Sequence, residues 1–223
     1  MIFITGGFGK IGSSLLNKIK NKRKILIKRS KKFIKINANT YGLDLENKKH
    51  LRKIAKKYDF KYLIHLAVTR NPLKIKKIRN YDTLKKDTLI LLNLLDSLKK
   101  LKRIIFISSA SVYKIGAVDD KIDRNLISRD IVKFLNKEKP KRINIKTYQN
   151  LNRKKLIIDP LYHKNENKRL NGSNKLINEI LLINFCHEND IRLFIARPFR
   201  ISETNKEKEI IFKKILKLDK NWS

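Results

Sequence analysis

The chain is short of cysteine, of acidic residues and of long apolar runs, and each shortage removes a class of protein. With Cys186 as its one cysteine, neither a disulfide framework nor a cysteine-built zinc site is available. Cys186 lies in a helical apolar run and reads as a buried structural thiol. No apolar stretch approaches the length that spans a bilayer. With a first strand at residue 2, the reading is a cytoplasmic protein without a signal peptide. Against 55 Lys and Arg stand 20 Asp and Glu, a formal net charge of +35. Such charge attracts nucleic acid, anionic lipid or phosphorylated ligands. Lys, Ile and Asn are enriched together along the whole chain, however, and there is no nucleic-acid motif or compact basic tail. The charge therefore reads first as compositional, with solvated basic faces, ahead of a nucleic-acid partner. There is no internal repeat and no low-complexity linker.

Glycine is scarce too, and its distribution is informative. Of seven glycines in 223 residues, Gly6, Gly7, Gly9 and Gly12 fall within seven positions. They follow an apolar run, Ile2 to Thr5, and precede a segment whose Ile11, Leu15, Leu16 and Ile19 repeat at helical spacing. Strand, glycine turn and helix in that order form the dinucleotide-binding pattern. The glycines permit a tight bend and a close approach of backbone to a pyrophosphate, which the N–H groups of the helix then face.

Further along, strands and helices alternate. Lys24 to Lys28 and Phe33 to Asn37 read as strands, Glu46 to Tyr58 as a helix, and Tyr62 to His65 as a buried strand. Asp82 to Lys100 reads as a long helix, Arg103 to Ile107 as a strand ending in Ser108-Ser109, Lys175 to Glu188 as a helix and Ile191 to Ala196 as a strand. This alternation predicts an α/β fold, Rossmann-like and doubly wound, with a parallel sheet covered by helices on both faces and ligands at the carboxyl ends of its strands. Where an NAD-binding unit carries an acid beyond the second strand, this chain has Lys28-Arg29-Ser30. Arg29 suits a 2′-phosphate, so NADP is expected over NAD.

The ordered motifs resemble those of the extended short-chain dehydrogenase/reductases, the NAD-dependent epimerase/dehydratase group that includes nucleotide-sugar epimerases. They are Thr5-Gly6-Gly7-Phe8-Gly9-Lys10-Ile11-Gly12, Asp44-Leu45, His65-Leu66-Ala67-Val68, Leu92 to Asp96, Phe106 to Tyr113, Asn174-Lys175 with Glu179, and Arg197-Pro198-Phe199-Arg200. The resemblance implies that Gly6, Phe8, Gly9, Lys10, Ile11 and Gly12 hold the pyrophosphate, that Asp44 and Leu45 flank the adenine, and that Leu66, Ala67 and Val68 line the nicotinamide side. It places Ser109 on the catalytic Ser or Thr. Lys175 falls on the Lys that binds the nicotinamide ribose and lowers the pKa of the catalytic Tyr. The substrate class it implies is a sugar or nucleotide-sugar, with a homodimer as a further partner state.

Two departures follow. The Tyr of the family's Tyr-x-x-x-Lys is replaced by Asn171, and a carboxamide cannot pass a proton near neutral pH as a phenol can. General acid–base catalysis contributes about 10²–10⁴-fold, so this substitution predicts severe loss of the usual activity unless another group substitutes. Tyr81 precedes Lys85 at the same spacing but in the wrong element, while Tyr113, Tyr162 and His163 read as packing or loop residues. The second departure is length: residues about 115–165 read as an insertion, basic and strand-poor until Lys155 to Asp159, serving as a surface loop, a lid or a partner-binding arm. Residues 1–201 then form the dinucleotide-binding domain, and 202–223, with Trp222, an amphipathic helical segment packed on the sheet or on another subunit. The resemblance further implies that most of the substrate-binding lobe is absent. Three functions stay open: an oxidoreductase or epimerase, a catalytically degenerate dinucleotide-binding module, and a basic nucleic-acid or anionic-surface binder.

Overall fold

The computed structural model describes residues 1–67, 80–114, 121–148, 156–162, 166–198 and 200–201. In chain order the elements are β1 (Ile2–Thr5), α1 (Lys10–Lys18), β2 (Lys24–Arg29), β3 (Ile34–Asn37), β4 (Thr40–Leu43), α2 (Lys48–Ala55), β5 (Tyr62–His65), α3 (Asn80–Ser97), β6 (Arg103–Ile107), β7 (Lys121–Ile122), α4 (Arg124–Asn136), β8 (Ile143–Tyr148), α5 (Glu166–Glu188), β9 (Arg192–Pro198) and β10 (Arg200–Ile201). Single 3₁₀ turns occupy Ala110–Val112 and Pro160–Tyr162.

Eight strands form one sheet in the order β3-β4-β2-β1-β5-β6-β9-β8, and β7 pairs with β10 separately. Every pairing in the large sheet is parallel except β3 with β4. The strand pleat explains the two-sided core, because successive residues point to opposite faces. Ile2, Ile4, Ile105 and Ile107 pack on one face with Ile11 and Leu15 of α1 and Ile127 and Ile131 of α4. Phe3, Ile104 and Phe106 pack on the other with Leu51 and Ile54 of α2, Leu91, Leu94 and Leu95 of α3, and Leu182 and Cys186 of α5. Each such side chain contributes about 1.5–3 kcal/mol on burial. The Cys186 thiol is wholly buried, and burial pushes its pKa up to about 12.

Several expectations are corrected. Thr40–Leu43 is a strand, β4, inserted beside β2 and buried along its length. It turns the third strand into the outer arm of an antiparallel edge pair. The stretch 115–165 is not strand-poor before Lys155. It contains α4, which packs on the same sheet face as α1, and β8, which pairs with β9 and closes the sheet edge. The physical reason is the edge position: only Tyr148 of β8 is buried, while Ile145 and Lys146 are exposed, and a strand paired on one side through its backbone needs few apolar residues. Lys155 is outside the described residues, and the Leu156–Asp159 remainder contributes an isolated bridge, Ile158 to Tyr113. Finally, α5 begins nine residues before Lys175, at Glu166, which sets Asn171 on a helix. The segment 202–223, Val68, His163 and Phe199 lie outside the described residues.

Candidate functional site

The chain leaves β1 through the glycine turn into α1 and β2 on one side, then crosses to β5 and β6 on the other. The carboxyl ends of β1 and β5 therefore diverge into a crevice, the place where open α/β sheets bind ligands. A cleft of about 680 Å³ lies there.

The glycine turn is held by sterics. Gly6 sits at φ +69°, and a Cβ on it would lie 2.6 Å from the Ala67 nitrogen. A Cβ on Gly12 would lie 2.4 Å from the Gly7 carbonyl oxygen. These two glycines let the β1 turn, the β5 end and the first turn of α1 close on one another. The result leaves Gly9 as the α1 N-cap with no side-chain cap and no acid in the first turn. The first N–H groups of a helix have no partner within the helix. Lys10, Ile11 and Gly12 line the cleft, so the helix end offers N–H donors and the positive end of its dipole to an anion. The turn thus fits a pyrophosphate on its own geometry.

Phe8, Gly9, Arg29, Asp44, Leu45, Leu66, Ala67, Ser109, Asn171 and Lys175 line the same cleft. Every expected site residue that the structure describes is therefore on one wall or another of a single cavity. Arg29 is exposed at the end of β2. Asp44 follows β4, and its carboxylate accepts the Glu46 N–H at 3.0 Å. His65 also lines the cleft: its Nδ1 lies 2.7 Å from Thr5 Oγ1, and burial, reinforced by the charge of Lys175, lowers its pKa to about 3. It is a neutral structural imidazole at ordinary pH.

Ser109, Asn171 and Lys175 share the part of the cleft beside β6 and α5. Lys175 is 4% exposed; its Nζ donates to the Ile107 carbonyl at 2.9 Å and lies 4.7 Å from the Phe106 ring centroid. Burial lowers the Lys175 pKa to about 8, opposed by the carboxylates of Asp87 and Glu179. Ser109 caps the 3₁₀ turn, accepting the Ser111 N–H, and its hydroxyl donates to Ser111 Oγ at 3.1 Å. Asn171 reaches the same Ser111 Oγ at 3.5 Å. Ser111 therefore joins Ser109 to Asn171, a role its sequence position did not announce. Gly172 permits the approach, since a Cβ there would lie 2.2 Å from the Ser111 carbonyl oxygen.

Behind this wall, Glu179 of α5 and Arg197 of β9 form a buried ion pair, and Arg197 Nη1 donates to the Tyr113 hydroxyl at 2.7 Å. Tyr113 in turn lies 2.6 Å from Thr147 Oγ1 of β8. Tyr113 is thus a buried strut.

Sequence reasoning also missed Asp87. It lines the cleft from α3, is 8% exposed and accepts Asn174 Nδ2 at 2.6 Å. The signal was present: Asp87 stands four residues before Leu91 on the apolar stripe of α3, where an acid is costly without a purpose. No metal-binding cluster of His, Cys, Asp or Glu occurs among the described residues, and none of their helices is long and apolar enough to cross a membrane.

Comparison with known proteins places this geometry. Solved structures of similar fold include a UDP-glucose 4-epimerase with UDP-glucose from Thermotoga maritima, at TM-score 0.57 and 20% identity over 88% of this chain and 54% of that one. A UDP-glucose 4-epimerase from Thermus thermophilus in complex with NAD gives 0.55 and 14% over 88% and 54%. RMD from Pseudomonas aeruginosa complexed with NADPH gives 0.53 and 22% over 89% and 52%. At these identities the likeness establishes the fold, and the chain spans about half the length of each. A search of curated proteins finds no match. The profile of the NAD dependent epimerase/dehydratase family matches residues 2–145, which takes in the glycine turn, β5 and the Ser108-Ser109 strand end, and the chain belongs to that family.

Proposed function

We propose that the chain is an NAD(P)-binding domain that holds its dinucleotide across the carboxyl ends of β1, β2, β4, β5 and β6 without the proton-transfer group its family employs. The observation that carries this reading is the single cleft, which gathers the uncapped α1 terminus, Arg29, Asp44, Leu66, Ser109 and Lys175. The N–H groups of Lys10, Ile11 and Gly12 would receive the pyrophosphate. Asp44 and Leu45 would flank the adenosine, and Arg29 would meet a 2′-phosphate, favouring NADP(H). Lys175 would bind the ribose on the nicotinamide side. Bound there, the dinucleotide supplies a hydride donor or acceptor. What this chain lacks is the phenol: Asn171 occupies the position and gives its N–H to Ser111.

Calorimetric titration with NADPH and NADH, in moderate salt to suppress nonspecific attraction to a +35 protein, tests the reading. NADPH binding that weakens about tenfold or more in Arg29→Ala, with NADH unchanged, supports it. Absence of binding by either nucleotide rejects it and makes the basic surface the leading clue.

The second reading is an oxidoreductase or epimerase acting on a sugar or nucleotide-sugar. It is favoured by the retention of Ser109 and Lys175 on the same cleft as Asn171, and by the UDP-glucose epimerases among the proteins of this fold. Asn171→Tyr separates the two: sugar-dependent reduction of NADP⁺ that appears only in the variant marks the natural protein as a binding domain.

A further inference from the structure

Only 20 of 223 residues are acidic, and three of them, Asp44, Glu46 and Asp87, line the dinucleotide cleft, Asp87 alone of these standing on α3. Asp87 is 8% exposed, and its position is held by an amide ladder along α5. Asn178 Nδ2 donates to Asn174 Oδ1 at 3.1 Å, and Asn174 Nδ2 donates to Asp87 Oδ2 at 2.6 Å. Asn171, Asn174 and Asn178 recur at three- and four-residue steps, so they form one stripe of the helix. Asn171 and Asp87 both line the cleft. The ladder ends in an N–H donor that fixes the Asp87 carboxylate in the wall.

The same wall carries the ammonium of Lys175, which feels the charge of Asp87 directly. The cleft thus presents one anion and one cation on its α3–α5 side, in a region shielded from water. This matters because the two redox forms of a nicotinamide dinucleotide differ by one positive charge on the ring. Resting on the dinucleotide reading above, we propose that Asp87 is a specificity residue of the cleft, its carboxylate selecting the oxidised, cationic nicotinamide against the reduced, neutral one, with Lys175 acting in the opposite sense.

The test is the affinity of the full chain for NADP⁺ and NADPH, measured by calorimetry on the native protein, Asp87→Asn and Lys175→Met. The ratio of the two dissociation constants cancels contacts common to both forms, including any loss at the ribose. In Asp87→Asn the affinity for NADP⁺ is expected to fall about fivefold further than that for NADPH, the scale of a partly screened charge pair. In Lys175→Met the ratio moves the other way. Equal changes for the two nucleotides, or a ratio that moves in the same direction in both variants, would overturn the proposal and leave Asp87 a packing group. Circular dichroism checks folding, and Asp87→Ser replaces the amide if that variant does not fold. Failure of the native protein to bind either nucleotide overturns the dinucleotide reading itself, and this inference falls with it.

Discussion

Lys175→Met offers the sharpest check on the electrostatics of the cleft. The amine is buried, donates to the Ile107 carbonyl, and titrates near 8 instead of its ordinary 10.5. Because burial lowers the folded pKa below the unfolded one, the unfolded chain binds more protons between those values, and stability rises with pH across that window. Below pH 8 both states carry the charge, and its desolvation costs the fold about 3 kcal/mol, at about 1.4 kcal/mol per pH unit. At pH 10 most of that cost has gone, leaving about 1 kcal/mol. Methionine removes the charge at every pH and leaves the Ile107 carbonyl without its donor, a loss of about 1–3 kcal/mol that does not depend on pH. The difference in stability between variant and native protein should therefore favour methionine by about 2 kcal/mol more at pH 7 than at pH 10. For a chain of this size that corresponds to about 4–8 °C in the relative Tm, read by differential scanning calorimetry at the two pH values. A Tm difference identical at pH 7 and pH 10 would show that the amine is not desolvated and would remove the electrostatic argument for the cleft.

Two further outcomes follow from the same geometry. Gly12→Ala sets a Cβ 2.4 Å from the Gly7 carbonyl oxygen, a backbone atom that cannot rotate away; destabilisation of about 3 kcal/mol in urea unfolding is expected, together with loss of dinucleotide binding. Glu179→Gln leaves Arg197 buried without its countercharge, which should cost about 3–5 kcal/mol by the same method; a cost below about 1 kcal/mol would mean that the pair is hydrated.

The resemblance rested on short motifs that sit at strand ends, and these are the places where sequence is most constrained. Gly6 and Gly12 are legible because a Cβ would lie 2.6 Å and 2.4 Å, respectively, from backbone atoms of the neighbouring turn and strand end. The buried strands β1, β5 and β6 are legible because both their faces pack on helices, so they read as continuous apolar runs. β4 and β8 escaped because their pattern is mixed: Thr40–Leu43 contains a glycine, and Ile143–Tyr148 combines an exposed Ile145 and Lys146 with a buried Tyr148. Their strand character comes from partners, β2 and β9, that lie far away in sequence.

By itself, then, the amino-acid order determined the glycine turn and the apolar strands around it, since each is a property of residues within one short segment. Tertiary structure alone decided that Asp87 of α3 stands on the same cleft as Lys175 of α5, and that Ser111 links Ser109 to Asn171. It also decided that Tyr113 is locked between Arg197 and Thr147. Asp87 and Lys175, Ser111 and Asn171, and Tyr113 and Arg197 are each joined across about 60–90 residues of chain, and only the packing of α5 and β9 against α3 and the sheet brings their charges and hydroxyls within reach.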